Sequence, residues 1–158
     1  MSALPAEPEL GRLNHIGIVV PGAEYDTVVD SLVRLFAGEI NQSGDDAELN
    51  GRWSWVRASS GLMLEVCSPF ENAASALTRF LERTGGGLHH VSFDSDDITA
   101  CRTAARRRGA TLVGESDDHA GWAEFFVRPQ ETGNALFHWM QPVAENAFEA
   151  LELGRSQR

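Results

Sequence analysis

The sequence predicts an α+β fold made of two copies of one β-α-β-β-β unit. A strand-like segment with a histidine at its third position occurs twice, at residues 13–20 and again at 88–94. Each copy continues into a short polar turn and then into an amphipathic helical stretch. Three further strand-like segments follow each of these helices. The two halves of the chain therefore have the same predicted order of elements.

The bounds of the elements follow from alternation along strands and helical periodicity along helices. In the first half we predict a helix at about 24–36 and strands at about 13–20, 38–43, 52–58 and 61–67. In the second half we predict a helix at about 98–108 and strands at about 88–94, 110–114, 121–128 and 134–141. Ser95, Asp96 and Asp97 can cap the start of the second helix, and Gly109 can end it.

A chain of 158 residues has room for one domain with a real hydrophobic core. We expect module one at about 12–70, a linker helix at about 71–86 and module two at about 87–142. The tail at 143–158 is predicted to form a short helix with a frayed end.

Composition excludes several classes of partner. The formal charge of -10, from 13 basic and 23 acidic residues, would repel phosphate backbones and anionic lipid, so we expect neither nucleic acid nor a membrane surface as a partner. No run of about 18 apolar residues predicts a transmembrane span, and the N-terminus lacks the pattern of a signal peptide. Two cysteines do not suggest a disulfide framework, so we expect a cytoplasmic protein.

Four polar residues interrupt strands that are otherwise apolar. His15 and His90 lie in the first strand of each half, and Glu65 and His138 in the last, each pointing away from the apolar face. The offsets are nearly equal, because 65 − 15 is 50 and 138 − 90 is 48. The first and last strands of such a unit can lie side by side, which would bring the four groups together.

Imidazole and carboxylate groups together are typical ligands of zinc, cobalt, nickel, manganese or iron. Such a set also leaves positions open for water or substrate, as a catalytic site requires. We therefore predict one divalent metal ion. Taken singly, each of the four could instead be a hydrogen-bonded structural residue. His89 and His119 do not share the pattern, and we interpret His89 as packing under the neighbouring helix and His119 as a loop residue.

Four segments carry a resemblance to a known family. They are Leu13 to Val20, Leu64 to Pro69, Phe80 to Val91 and Pro129 to His138. In order and spacing they resemble the vicinal oxygen chelate superfamily, which includes glyoxalase I, extradiol dioxygenases, bleomycin-resistance proteins and methylmalonyl-CoA epimerase. The likeness is closest to the epimerase branch and covers about residues 12–142.

The resemblance implies that the paired modules form a cupped mixed sheet, the glyoxalase-like fold, around one divalent metal. It implies His15, Glu65, His90 and His138 as the ligands, and a nearby carboxylate as the group that moves the proton. Glu65 is our candidate for that group. His138 departs from the family, which usually has a glutamate at that position. Glu48 could also move a proton, although we interpret it as a solvated loop residue.

The function expected from this resemblance is that of a metal-dependent isomerase or lyase, working through an enolate-like intermediate of a small-molecule substrate. A non-haem iron dioxygenase and a non-catalytic binding protein of the resistance type are the alternatives. Four aromatic residues are predicted to line an apolar pocket, with core packing as the other interpretation: Trp53, Trp55, Trp122 and Phe126. The fold also suggests a homodimer.

Overall fold

The computed structural model of the chain describes residues 10–119 and 121–143. The strands are β1 (Arg12–Val19), β2 (Glu39–Asp46), β3 (Gly51–Arg57), β4 (Met63–Pro69), β5 (Gly87–Asp94), β6 (Leu112–His119), β7 (Trp122–Val127) and β8 (Leu136–Pro142). The helices are α1 (Tyr25–Leu35), α2 (Ala76–Thr84) and α3 (Ile98–Arg107), with short 3-10 turns at Gly22–Glu24 and Pro129–Thr132. The tail helix predicted beyond Val143 falls outside the described residues.

The strands form one mixed sheet in the order β2-β3-β4-β1-β5-β8-β7-β6. Within each module the first strand lies parallel to the last, as β1 does to β4 and β5 to β8. The modules join through the antiparallel pair of β1 and β5. This arrangement confirms the predicted pair of β-α-β-β-β units and the mixed sheet.

The sheet curls strongly into a half-barrel. Five strand-to-strand steps separate β3 from β7, and in a flat sheet they would span about 24 Å. The rings of Trp55 on β3 and Trp122 on β7 nevertheless lie 6.4 Å apart. The predicted cup is therefore present, and its outer strands face each other across the opening.

Helices α1 and α3 cover the convex face. Under α1, a core cluster is built on Val29, Val56 and Val66, and under α3 a second cluster is built on Cys101 and Phe125. These are the apolar faces that strand alternation predicted. The concave face is consequently left for the polar residues of the same strands.

Helix α2, the predicted linker, covers one end of the concave face. The Ser75 side chain accepts a hydrogen bond from the backbone of Thr78 at its start, and Gly85 ends it in a left-handed conformation. Its buried Leu77 packs against Val19 and Cys67, which point to the concave side.

Two outer strands run further than the sequence predicted. β2 continues to Asp46, and β6, predicted at about 110–114, continues to His119. The interpretation of His119 as a loop residue is therefore wrong. Because β6 is an edge strand with much of both faces exposed, its polar residues show no alternation, and backbone pairing with β7 holds it in place.

Two further findings bear on the sequence-based expectations. Cys67 and Cys101 are both buried, and neither forms a disulfide within the described residues. No helix in the described ranges, 10–119 and 121–143, has the length and apolar character to cross a membrane.

Candidate metal centre

Strand register places Glu65 and His90 on either side of Gly17. Gly17 pairs with Glu65 of β4 on one side and with His90 of β5 on the other. Residues paired across neighbouring strands point to the same face, so both side chains enter the concave face. The missing side chain of Gly17 makes room for the imidazole of His90, which a Cβ there would overlap.

A second set of cross-strand pairs places His138 near His15. His15 pairs with Ser92 of β5, and Ser92 pairs in turn with His138 of β8. The ligand atoms of His15, His90 and His138 all lie within 4.8 Å of one another. All four residues predicted from strand alternation therefore lie on the concave face. Three of them, His15, His90 and Glu65, are in direct contact.

The three donors in contact are Nε2 of His15, Nε2 of His90 and Oε2 of Glu65. The two nitrogens lie 3.0 Å apart, and the carboxylate oxygen lies 3.6 Å from His15 and 3.3 Å from His90. An ion bonded to two donors at about 2.1 Å keeps them about 3.0 to 3.4 Å apart in octahedral or tetrahedral geometry. The donor set and its spacing therefore fit a divalent metal ion.

Partners outside this cluster orient the two imidazoles. Nδ1 of His15 lies 2.6 Å from Oδ1 of Asn14, whose amide nitrogen donates to Asp94 at 2.8 Å. The amide oxygen must accept, so His15 donates from Nδ1. When the ring is neutral, this leaves the lone pair on Nε2, which is the form that binds a metal. Nδ1 of His90 likewise lies 3.0 Å from Nδ1 of His89. Burial lowers the pKa of His89 to about 4, so this partner is neutral near pH 7.

Glu65 is held as a carboxylate. Burial acts to raise its pKa, but the charges and hydrogen bonds of His15 and His90 outweigh burial and hold the pKa well below its usual range. Its other oxygen, Oε1, accepts a 2.9 Å hydrogen bond from the indole N–H of Trp55. Both oxygens are thus fixed, with Oε2 turned toward the histidines.

His138 differs from the other two histidines because both of its ring nitrogens have close partners outside the cluster of His15, His90 and Glu65. Nδ1 lies 3.1 Å from the hydroxyl of Ser92, and Nε2 lies 2.9 Å from Oε2 of Glu124. The ring also stacks on Phe126, with centroids 4.4 Å apart. A hydroxyl that donates to Nδ1 and an N–H at Nε2 that donates to the carboxylate satisfy all of these groups.

Glu124 is a residue of the site that sequence reasoning missed. Its carboxylate lies between His138 and His119, whose Nδ1 is 2.6 Å from Oε1, and the residue is only 8% exposed. The signal was available, because Glu124 stands midway between Trp122 and Phe126, both predicted to face the cup.

The Glu124–His119 pair has strongly shifted protonation equilibria. The hydrogen bond between His119 and Glu124 raises the pKa of His119 to about 9, although burial opposes this. Burial acts to raise the pKa of Glu124, but hydrogen bonds from His119 and His138 lower it to about 2. Nε2 of His119 also lies 3.2 Å from a carboxylate oxygen of Asp46 on β2, so His119 connects β6 with β2 across the opening of the cup.

The predicted aromatic residues lie in two places. Trp55, Trp122 and Phe126 surround the histidine cluster, since Trp55 lies 5.5 Å from the ring of His15. Trp53 instead packs into the cluster under α2, where core packing explains it. His89 packs edge-on against Phe80 of that helix, as predicted. Glu48 lies in the turn after β2, with its carboxylate 3.8 Å from His119.

The sequence profile of the Glyoxalase/Bleomycin resistance protein/Dioxygenase superfamily matches residues 14–126, well over half of the chain. The chain belongs to this superfamily. A curated relative, the ethylmalonyl-CoA/methylmalonyl-CoA epimerase of Cereibacter sphaeroides, is 26% identical over 131 residues, which cover 80% of this chain and 95% of that protein.

Solved structures of other epimerases share the fold. Methylmalonyl-CoA epimerase from Mycobacterium tuberculosis superimposes with a TM-score of 0.76 at 19% identity, covering 91% of this chain and 95% of that one. A variant of the Streptomyces coelicolor enzyme in complex with 2-nitronate-propionyl-CoA gives a TM-score of 0.72 at 22% identity, covering 86% of this chain and all of that one. At these identities the likeness establishes the glyoxalase-like fold.

Replacing Gly17 by alanine tests whether the His90 imidazole must occupy the space above Gly17. The new Cβ would overlap the ring, so His90 must move away from His15 and Glu65. We expect Gly17→Ala to weaken zinc binding by at least about tenfold in a competition titration. Gly22→Ala is the control, because its Cβ would meet only the Ser68 hydroxyl at 3.8 Å. Equal zinc affinity in the two variants would contradict this geometry.

The pH dependence of stability tests the pairing of Glu124 with His119. A carboxyl whose pKa falls from 4.5 to about 2 on folding stabilises above pH 4.5 and loses this effect as pH falls toward 2. An imidazole whose pKa rises from 6.5 to about 9 stabilises below pH 6.5 and loses this effect as pH rises through 9. Both contributions are therefore complete between about pH 4.5 and 6.5.

We expect Glu124→Gln to lower the free energy of unfolding, measured in urea with a chelator present, by roughly 1–3 kcal/mol at pH 5.5. At pH 9.5 the difference from the unaltered protein should shrink, since His119 is then largely neutral in both. A difference that stays constant from pH 5.5 to 9.5 would show that the two groups do not form this ion pair.

Proposed function

We propose that the chain is a metal-dependent isomerase of the epimerase type, with one divalent ion held by His15, Glu65, His90 and His138. The observation that carries the proposal is the spacing of the first three donors, 3.0 to 3.6 Å, with every donor atom directed toward the others. Such a set of imidazoles and one carboxylate leaves coordination positions for a substrate oxygen.

A bound divalent ion would act as a Lewis acid that stabilises negative charge on a substrate oxygen beside the reacting carbon. Glu65 is our candidate for the group that removes and returns the proton, because the neighbouring histidines keep it ionised. Trp55, Trp122 and Phe126 surround the donors with apolar rings, which exclude water and strengthen electrostatic interactions inside the cup.

The substrate class we propose is a small acid or thioester with an acidic C–H bond beside a carbonyl group. The relative from Cereibacter sphaeroides, an ethylmalonyl-CoA/methylmalonyl-CoA epimerase, favours a substituted malonyl thioester as the first compound to test. Its match covers 80% of this chain and 95% of that protein. Exchange of the proton between the two faces of the carbon would then invert its configuration.

A non-haem iron dioxygenase is the second candidate. Two imidazoles and one carboxylate in mutual contact form the donor set that such oxygenases use. His15, His90 and Glu65 have this composition and spacing, whereas His138 is engaged with Ser92 and Glu124. The metal that copurifies with the protein and the consumption of oxygen distinguish this candidate from an isomerase.

We also propose that the protein acts in the cytoplasm as a homodimer, without nucleic-acid or membrane partners. Cys67 and Cys101 form no disulfide within the described residues, which supports a reducing compartment. The net charge of -10 is unfavourable for binding phosphate or anionic lipid. Leu35 and Leu88, which are 77% and 75% exposed, are apolar side chains that a second copy could cover.

Metal analysis of the purified protein tests the ligand set. We expect about one equivalent of a divalent ion in the unaltered protein, and less than about a tenth of an equivalent in His15→Ala, His90→Ala and Glu65→Gln, since each loses a donor. Glu131→Gln, which changes an exposed carboxylate outside the cup, is the matched control. Circular dichroism should show that the variants are folded. One equivalent of bound metal in both histidine variants would contradict the proposed site.

Proton exchange tests the reaction. In deuterated water the loaded protein should replace the C2 proton of methylmalonyl-CoA with deuterium, as followed by proton NMR, without consuming oxygen. We expect Glu65→Gln to slow exchange by about 10²- to 10⁴-fold, the usual contribution of a general base. Exchange at the uncatalysed rate, together with bound iron and oxygen uptake, would exclude the isomerase and favour the dioxygenase.

A further inference from the structure

Glu124 is a buried carboxylate that the proposed ligand set does not use. It lies on β7 and points into the cup between Trp122 and Phe126. A buried carboxylate is costly to keep unless close partners stabilise it. Here it has two, since one oxygen lies 2.9 Å from His138 and the other 2.6 Å from His119.

Each histidine of the cluster has one ring nitrogen tied to a partner outside it. For His15 the partner is the Asn14 amide, and for His90 it is His89. For His138 it is the Glu124 carboxylate, which takes Nε2. Nδ1 of His138 points the other way, toward Ser92 of β5, the strand that also carries His90.

The backbone and the second histidine hold Glu124 in place. Arg102 of α3 donates from one guanidinium nitrogen to the backbone oxygens of Glu124 and Ser116, at 2.8 and 2.6 Å. His119 joins the other side of the carboxylate to Asp46 across the opening of the cup. The carboxylate is therefore fixed before any ligand binds, as an orienting group requires.

We propose that Glu124 is the positioning residue that makes His138 a metal ligand. By accepting the N–H of Nε2 it leaves the lone pair of His138 on Nδ1, the nitrogen that points toward Ser92 on the strand of His90, and the Ser92 hydroxyl gives way when an ion binds. Glu124 also brings from β7 a second negative charge near the ion, beside that of Glu65. This inference rests on the proposed metal-dependent function and assigns His138 its binding atom.

Cobalt(II) binding tests the inference, because its visible spectrum reports the ligand set as well as the affinity. We expect Glu124→Ala to weaken cobalt binding by about 10- to 100-fold, the usual effect of removing a partner of a ligating histidine, and to change the d–d bands as His138 leaves the ion. Glu124→Gln keeps an acceptor oxygen and should lose less. Glu131→Ala, at an exposed carboxylate, should match the unaltered protein in both respects.

A double-variant cycle separates orientation from mere structural support. In the His138→Glu background the ligand is itself a carboxylate, so it needs no acceptor and is repelled by Glu124. There we expect Glu124→Ala to leave cobalt affinity unchanged or to raise it. Equal losses from Glu124→Ala in both backgrounds would overturn the proposal, since they would mean that Glu124 only supports the fold.

The outcomes distinguish this inference from the proposed function. No cobalt binding by the unaltered protein would overturn both. Binding by the unaltered protein, with the same affinity and spectrum in Glu124→Ala, would overturn the role of Glu124 alone. If Glu124→Ala does not fold, as judged by circular dichroism, Glu124→Leu carries the test, because it also removes the acceptor oxygen but fills more of the space. Weaker binding with an altered spectrum supports the proposal, and unchanged binding overturns it.

Discussion

The antiparallel pairing of β1 with β5 is the interaction on which the rest of the structure depends. It is the only pairing between the two modules within the sheet of the described residues, and it places Gly17 directly beside His90. Because β4 and β8 lie parallel on the outer sides of this pair, the last strand of each module is brought next to the first. Four polar side chains separated by up to 123 residues, from His15 to His138, thus reach one face.

The two faces of the curled sheet contribute differently to the free energy of folding. On the convex face, α1 and α3 bury apolar side chains, and this burial provides the main favourable term for folding. The concave face buries imidazoles and carboxylates, which is unfavourable unless each polar atom finds a partner. The partners are present as chains of contacts, one from His15 through Asn14 to Asp94 and another from His138 through Glu124 to His119. A site organised in this way keeps its donor atoms in place before an ion binds.

Much of this arrangement could be predicted from the sequence. His15, His90, Glu65 and His138 interrupt apolar alternation at nearly equal offsets, and alternation determines which face of a strand a residue occupies. Glu124 obeys the same rule but stands among aromatic residues, and no offset within the repeat marks it. His119 could not be placed, because its edge strand has no apolar pattern and its partners Asp46 and Glu124 come from strands on opposite sides of the cup. Contacts of that kind depend on how strongly the sheet curls.

The central claim is that one divalent ion binds between His15, His90 and Glu65. Anomalous diffraction from crystals of the zinc-loaded protein, recorded above and below the zinc absorption edge, tests it most directly. The account predicts a single strong peak at about 2.0 to 2.2 Å from Nε2 of His15, Nε2 of His90 and Oε2 of Glu65. A peak elsewhere on the chain, or two imidazoles still in direct contact with no peak between them, would contradict it.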